Sequence, residues 1–304
     1  MGIAGKDRYS RGANMDKENH RSFDNSRGQL NNRNVESDVC RAINLYNHAK
    51  TLPTDQDLLS DYKGNLKLWA LGLLAALGLS SIPLLSNLAA YLPILLHECG
   101  HTVAAWYFGR MAIPSFDFGD GGGMTYWSNP SYFMLAVLDL TLIAVAVIIR
   151  PFPRWGLALI IFLTAQWIAI FTGFDQIIIV LMGHGGELAS ASWLLYNSLK
   201  PLNFSYNRFD RLVLSFLGFF FVFFGAEFYH NIIFNSYFRS YYFQGKGFAD
   251  NDLVILSRLL HIPLEAIAWL LLIATCLLPI SIFLFIQIKV AEFKFEVQQG
   301  GYFG

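Results

Sequence analysis

Five consecutive residues, His97-Glu98-Cys99-Gly100-His101, carry side chains suited to zinc-dependent hydrolysis, and they lie inside an apolar run. Leu92-Pro93-Ile94-Leu95-Leu96 precede them and Thr102-Val103-Ala104-Ala105-Trp106-Tyr107-Phe108 follow. On a helix, residues four apart share a face, so the His97 and His101 imidazoles can reach one ion. Glu98 is rotated about the axis to where its carboxylate can reach a water on that ion and serve as general base. Ionisable side chains at membrane depth are costly, roughly 2.5–3.5 kcal/mol for a central Asp, Lys or Arg on insertion scales, and a metal ion would compensate several at once. Cys99, at a variable position of the motif, reads as packing, and Gly100 as a point of close helix contact.

Two histidines leave such a site incomplete. A catalytic zinc takes three protein ligands and keeps a fourth position for water. His184, in Leu181-Met182-Gly183-His184-Gly185-Gly186-Glu187-Leu188, is the candidate third ligand. Its flanking glycines remove side-chain bulk, so another helix or a substrate backbone can come close. Glu187 lies three residues on, on a similar face. It is either the ligand in place of His184 or an acceptor for the His184 N–H. Zinc held this way polarises a carbonyl and brings its water to a pKa of about 7. The oxyanion donor that acyl chemistry requires is open among Gln166, Gln176 and Asn197.

Other polar residues read differently. Glu227 and His230 stand three apart in an apolar segment, where ionisable groups are functional hypotheses by default. Tyr229 and Asn231 beside them favour an interfacial position instead. His261 and Glu265 flank Pro263 at a span start and also read as interfacial; Glu265 suits a helix N-terminus. The phenylalanines from Phe216 to Phe224 read as lipid-facing bulk. The stretch from Asp117 to Trp127 lacks the Lys-Ser/Thr ending of a phosphate loop. It is either an interfacial loop anchored by Tyr126 and Trp127 or an exposed edge strand that pairs with an extended substrate. In the second case Phe118, Gly119, Gly121, Gly122 and Gly123 would contact substrate.

The elements that must position these groups are membrane helices. The 304 residues are 54% hydrophobic and 14% charged, with mean hydropathy +0.40. That composition belongs to an integral membrane protein. The net charge of zero gives no sign of a nucleic-acid partner. Cys40, Cys99 and Cys276 are odd in number and widely spaced, so no disulfide framework is expected. Residues 1–62 are polar and read as a disordered tail, with a short amphipathic helix possible over Val39–His48. Residues 63–295 read as the transmembrane domain and 296–304 as a C-terminal tail.

A spanning helix needs about 20 mostly apolar residues. Leu66–Leu85, Asn87–Phe108, Phe133–Ile149, Trp155–Phe171, Asp175–Leu199, Leu212–Phe234 and Pro263–Val290 answer to that. Pro151 and Pro153 mark a turn, and the segments meeting at Gly173 are nearly continuous. The expected fold is therefore all-α and polytopic, with about six to seven transmembrane helices and a short strand-like loop after the motif helix. The first apolar run begins only after about Lys67, so no secretory leader is expected. Lys63 and Lys67 flank the first span and favour a cytosolic N-terminus.

His97-Glu98-Cys99-Gly100-His101 with Ala104-Ala105 and Phe108-Gly109, then Pro114-Ser115-Phe116-Asp117-Phe118-Gly119, resembles the site-2 protease family of intramembrane zinc metalloproteases. That family places a short strand and a glycine-rich turn after its motif helix. It carries an Asp-Gly on a later helix whose Asp is the third zinc ligand, and His184-Gly185-Gly186 matches that position with His for Asp. The resemblance covers residues 85–125 and 176–192. It departs where the family's Asn and Pro precede the Asp-Gly and Asp175, Gln176 and aliphatic residues stand here. Two expected spans, rather than one, separate the motif helices. The regulatory PDZ domain of many members has no counterpart in these residues.

The resemblance implies a divergent intramembrane zinc endopeptidase that cleaves membrane-anchored protein substrates within the lipid bilayer. His97, His101 and His184 would hold Zn2+ and Glu98 would serve as base. A non-proteolytic scaffold or transporter that keeps the fold is the alternative, although the retained Glu98 speaks for hydrolysis. A zinc hydrolase of lipids or small amides is a third reading.

Overall fold

The computed structural model describes residues 55–117, 122–149, 153–201, 206–245 and 250–300. It is mostly helical. Helices α1 (Asp55–Ser80) and α2 (Pro83–Tyr107) are followed by a hairpin of β1 (Ala112–Asp117) and β2 (Gly122–Trp127). Next come α3 (Tyr132–Ile149), α4 (Pro153–Thr172), α5 (Phe174–Leu199) and α6 (Arg208–Phe234). The short helices α7 (Ser236–Gln244) and α8 (Asp252–Leu260) precede the long α9 (Leu264–Gly300). The expected helix at Val39–His48 and most of the expected tail lie outside the described residues. Helix α1 starts at Asp55, about two turns before the boundary read from composition. At the other end, α9 takes in the first residues of the expected C-terminal tail.

Among the described residues, three helices are long and apolar enough to cross a membrane: α5, α6 and α9 over Leu264–Glu292. A fourth span results if α1 and α2, bent by 114° at their junction, count as one. By this measure three or four spans stand among the described residues, where six or seven were expected. The difference is one of chain breaks. The expected first span, Leu66–Leu85, runs across Ser81-Ile82, where Pro83 holds Ile82 extended (φ −109°, ψ 99°) and starts a new helix. The apolar parts of α3 and α4, Tyr132–Ile148 and Gly156–Thr172, reach only ~26 Å at 1.5 Å per residue, short of a hydrocarbon core of about 30 Å. Gly173 ends α4 with φ +78°, a conformation that glycine adopts without penalty.

Helix α5 is the hub, packing on α1, α2, α4, α6, α8 and α9. Its crossing with α2 is close because glycines face each other. A Cβ on Gly100 would lie 2.0 Å from the Met182 carbonyl oxygen, and one on Gly186 2.6 Å from that of Leu96. Small residues let apolar helices approach where lipid offers no hydrophobic drive. Phe219, Phe220 and Phe221 fill the core between α1, α5 and α6. The run of phenylalanines is therefore interior packing on α6, not the lipid-facing bulk expected, because α6 lies between α1, α5 and α9.

The hairpin is antiparallel, with Ala112 opposite Trp127 and Asp117 opposite Gly122. Its base is tied to the helices. Trp106 Nε1 donates to the Ala112 carbonyl (3.0 Å). Arg110 donates through Nε to Asp175 on α5 (2.9 Å) and through Nη1 to the Ser128 carbonyl (3.1 Å). This buried ion pair fixes the end of α2, the start of α5 and the end of β2 relative to one another.

Candidate metal centre

The i, i+4 spacing on α2 places His97 and His101 on one face, toward α5. The two rings stand 4.6 Å apart between centroids. Gly183 makes the approach possible: a Cβ there would lie 2.4 Å from His101 Nε2 and 2.5 Å from His97 Nε2. The next residue, His184, is 3% exposed, and its ring centroid is 4.6 Å from that of His97. His101 and His184 thus each lie against His97, but the residues whose ligand atoms all converge within 4.8 Å are His97, His184 and Asp252, without His101.

Their hydrogen bonds orient the rings. His97 Nδ1 donates to Glu187 Oε1 (2.8 Å). His101 Nδ1 donates to the Ile179 carbonyl (2.7 Å). His184 Nδ1 and the Tyr229 hydroxyl of α6 are 2.9 Å apart, and Glu187 Oε2 is 3.7 Å from the same nitrogen. Every Nδ1 is held, which leaves Nε2 as the ligand atom, the arrangement by which partner groups fix metal-binding imidazoles. His184 Nε2 is buried with no hydrogen-bond partner among the described residues, and a buried polar atom left unsatisfied calls for an explanation. Glu187 takes the role of acceptor, for His97 more closely than for His184.

Asp252, the first residue of α8, was not singled out by its sequence. Its Oδ2 accepts from His97 Nε2 (2.6 Å) and from His101 Nε2 (3.0 Å). His97, His184 and Asp252 present ligand atoms that all lie within 4.8 Å of one another. Burial pushes the Asp252 carboxyl up, but the hydrogen bonds from His101 and His97 outweigh it and hold the group well below the usual carboxylate range. Both nitrogens of His97 and of His101 face oxygen acceptors, so each must carry a proton or a metal. Two doubly protonated rings would bring two positive charges beside Glu187 and Asp252. One divalent cation in place of the two Nε2 protons brings the same charge. The donor set, the orphaned His184 Nε2 and this charge balance fit a divalent metal with nitrogen and oxygen ligands.

Glu98 is 5% exposed and turns toward the hairpin. Thr125 Oγ1, on β2, donates to Glu98 Oε2 (2.6 Å). Gly123 on the same strand lies against the carboxylate, where a Cβ would be 2.4 Å from Oε1. Strand β2 therefore runs directly past the candidate base. A cavity of about 600 Å³ joins these parts. The histidines, Glu98 and Glu187 line one side, Gly123 to Trp127 another, and Phe224, Phe228, Phe238 and Tyr242 a third. Tyr242 also receives the Leu253 N–H (3.3 Å) at the start of α8. Burial, and then the Asp252 carboxylate, push its phenol well above the usual range.

Of the expected substrate contacts, Gly122 and Gly123 lie on β2, while Phe118, Gly119 and Gly121 lie outside the described residues. The three oxyanion candidates do not line the cavity. Gln166 donates to the Tyr107 carbonyl (2.6 Å), Gln176 is exposed at the start of α5, and Asn197 donates to the Trp193 carbonyl (2.8 Å). Glu227 and His230 are exposed on α6, as an interfacial position requires and a role in the centre does not. Thr125, Tyr229 and Asp252 are the additions that the fold makes. Thr125 lies within the segment open between an interfacial loop and an edge strand, whereas no spacing rule links Tyr229 or Asp252 to the motif. Comparisons with protein-family models, with curated proteins and with solved structures give no match.

Proposed function

We propose that the protein is a multi-pass intramembrane zinc metalloendopeptidase acting on membrane-anchored protein substrates. The observation that carries this reading is the joining of three imidazoles, a buried carboxylate and a strand on one cavity. His97, His101 and His184 would hold the metal. When bound, zinc would supply Lewis acidity to a scissile carbonyl and acidify the attacking water. Glu98 takes the proton from that water and delivers it to the leaving amine. Thr125 donates to one carboxylate oxygen of Glu98, and the other lies against Gly123. A helical substrate hides its peptide bonds, so its segment must unwind, and the hairpin gives the unwound chain a backbone to pair with. The aromatic wall excludes water and takes up apolar side chains. Helices α3 and α4, joined by the Trp167 to Asp139 hydrogen bond (3.0 Å), would cross as a hairpin where the bilayer thins to their shorter apolar length and bring the crossings to six or seven, with the N-terminus cytosolic.

A second reading, a non-proteolytic membrane protein that retains the metal, draws on the Asp252 carboxylate at both motif histidines. Glu98→Gln in proteoliposomes with membrane-anchored reporter substrates separates the two. Hydrolysis should fall by about 10²–10⁴-fold, the usual contribution of a general base, with metal content unchanged. Cleavage at the wild-type rate would contradict the mechanism, and metal loss would make Glu98 a ligand.

A further inference from the structure

We propose that Asp252 is a fourth protein ligand, which closes the metal centre until substrate displaces it. The inference rests on the metal reading above and deepens it. A single carboxylate oxygen, Oδ2, faces the two Nε2 atoms that would ligate the ion, at 2.6 and 3.0 Å. His184, with its orphaned Nε2, presents a ring nitrogen within 4.8 Å of the ligand atoms of His97 and Asp252. With His101 added through its Nε2 contact to the same Oδ2, three imidazoles and one carboxylate would make a four-coordinate set, and such a set leaves no position for water. The centre so formed is latent.

Helix α8 does not leave to open it. Leu253, Val254 and Leu256 are at most 1% exposed and pack with Val180, Tyr229 and Ile232 in the core between α5, α6, α8 and α9. The Asp252 side chain is 23% exposed and borders the cavity. Opening is therefore a rotation of one side chain from the ion into the cavity as a substrate seats, which would free a coordination position for the water that Glu98 deprotonates. Access to the metal then depends on an extended chain already seated along β2, which restricts hydrolysis to substrates long enough to fill the cavity.

The test loads detergent-purified full-length protein with Co2+ and titrates it with azide, following the visible spectrum. Wild type should bind Co2+ and leave its spectrum unchanged by azide, because no coordination position is free. Asp252→Ala should show an azide-dependent spectral change and release metal to a chelator at least tenfold faster. Asp252→Asn, which preserves shape at the start of α8, should release metal faster in the same way, so a folding defect of the alanine variant does not decide the outcome. Azide binding to wild type as readily as to the alanine variant would overturn the proposal, as would unchanged metal release in both variants. Failure of wild type to take up any divalent metal would overturn the metal reading itself, and this inference with it.

Discussion

At the scale of single residues, the proposed centre would depend on groups that hold the ligands as much as on the ligands. The Tyr229 hydroxyl is the partner of His184 Nδ1, and Tyr229 is 1% exposed, so no solvent replaces it. Tyr229→Phe keeps the packing and removes one hydrogen bond. Metal affinity should fall 10–100-fold, the usual loss when a group orienting a ligand is removed, as read by competition with a chromogenic chelator. Unchanged affinity would mean that the ring is held by packing alone against Phe228. His97, Glu98 and His101 were legible from spacing because four residues bring side chains to one helix face whatever surrounds them. His184 was legible because glycine on both sides signals close approach. Asp252 stands 155 residues from His97 and meets it only through the packing of α8 on α5 and α6.

At the scale of elements, the crossing of α2 and α5 sets the geometry, and Gly183 is its most sensitive point. Alanine favours a helix over glycine by about 1 kcal/mol in general, so a substitution judged on local propensity would stabilise α5. Here its methyl would meet both Nε2 atoms within 2.5 Å. Gly183→Ala should lose metal while keeping its helical circular dichroism; a variant that retains the metal would show that the two helices separate freely. Spans at Phe174–Leu199 and Arg208–Phe234 were readable as long apolar runs. The rotation of each helix was not, which is why Gln166 and Asn197 bond to carbonyls away from the cavity and why Phe219, Phe220 and Phe221 face inward.

At the scale of the whole molecule, the described core closes on itself between residues 55 and 300. Tyr62, 6% exposed, packs with Leu199, Ile286 and Val290, joining the start of α1 to α5 and α9. Removal of residues 1–54 should therefore leave the thermal transition in detergent and the metal content unchanged. Removal through residue 65 takes away Tyr62 and the buried Asn65 and should lower the transition by several degrees. Apolar composition made a membrane protein legible, while the breaks at Ile82 and Gly173 made the number of crossings harder to read than the presence of spans.

Metal content of the full-length protein by mass spectrometry, wild type beside His184→Ala, tests the central claim most directly. The three-histidine centre predicts about one zinc per wild-type chain and a sharp loss in the variant. Zinc retained in full by His184→Ala, or absent from both proteins, would contradict it.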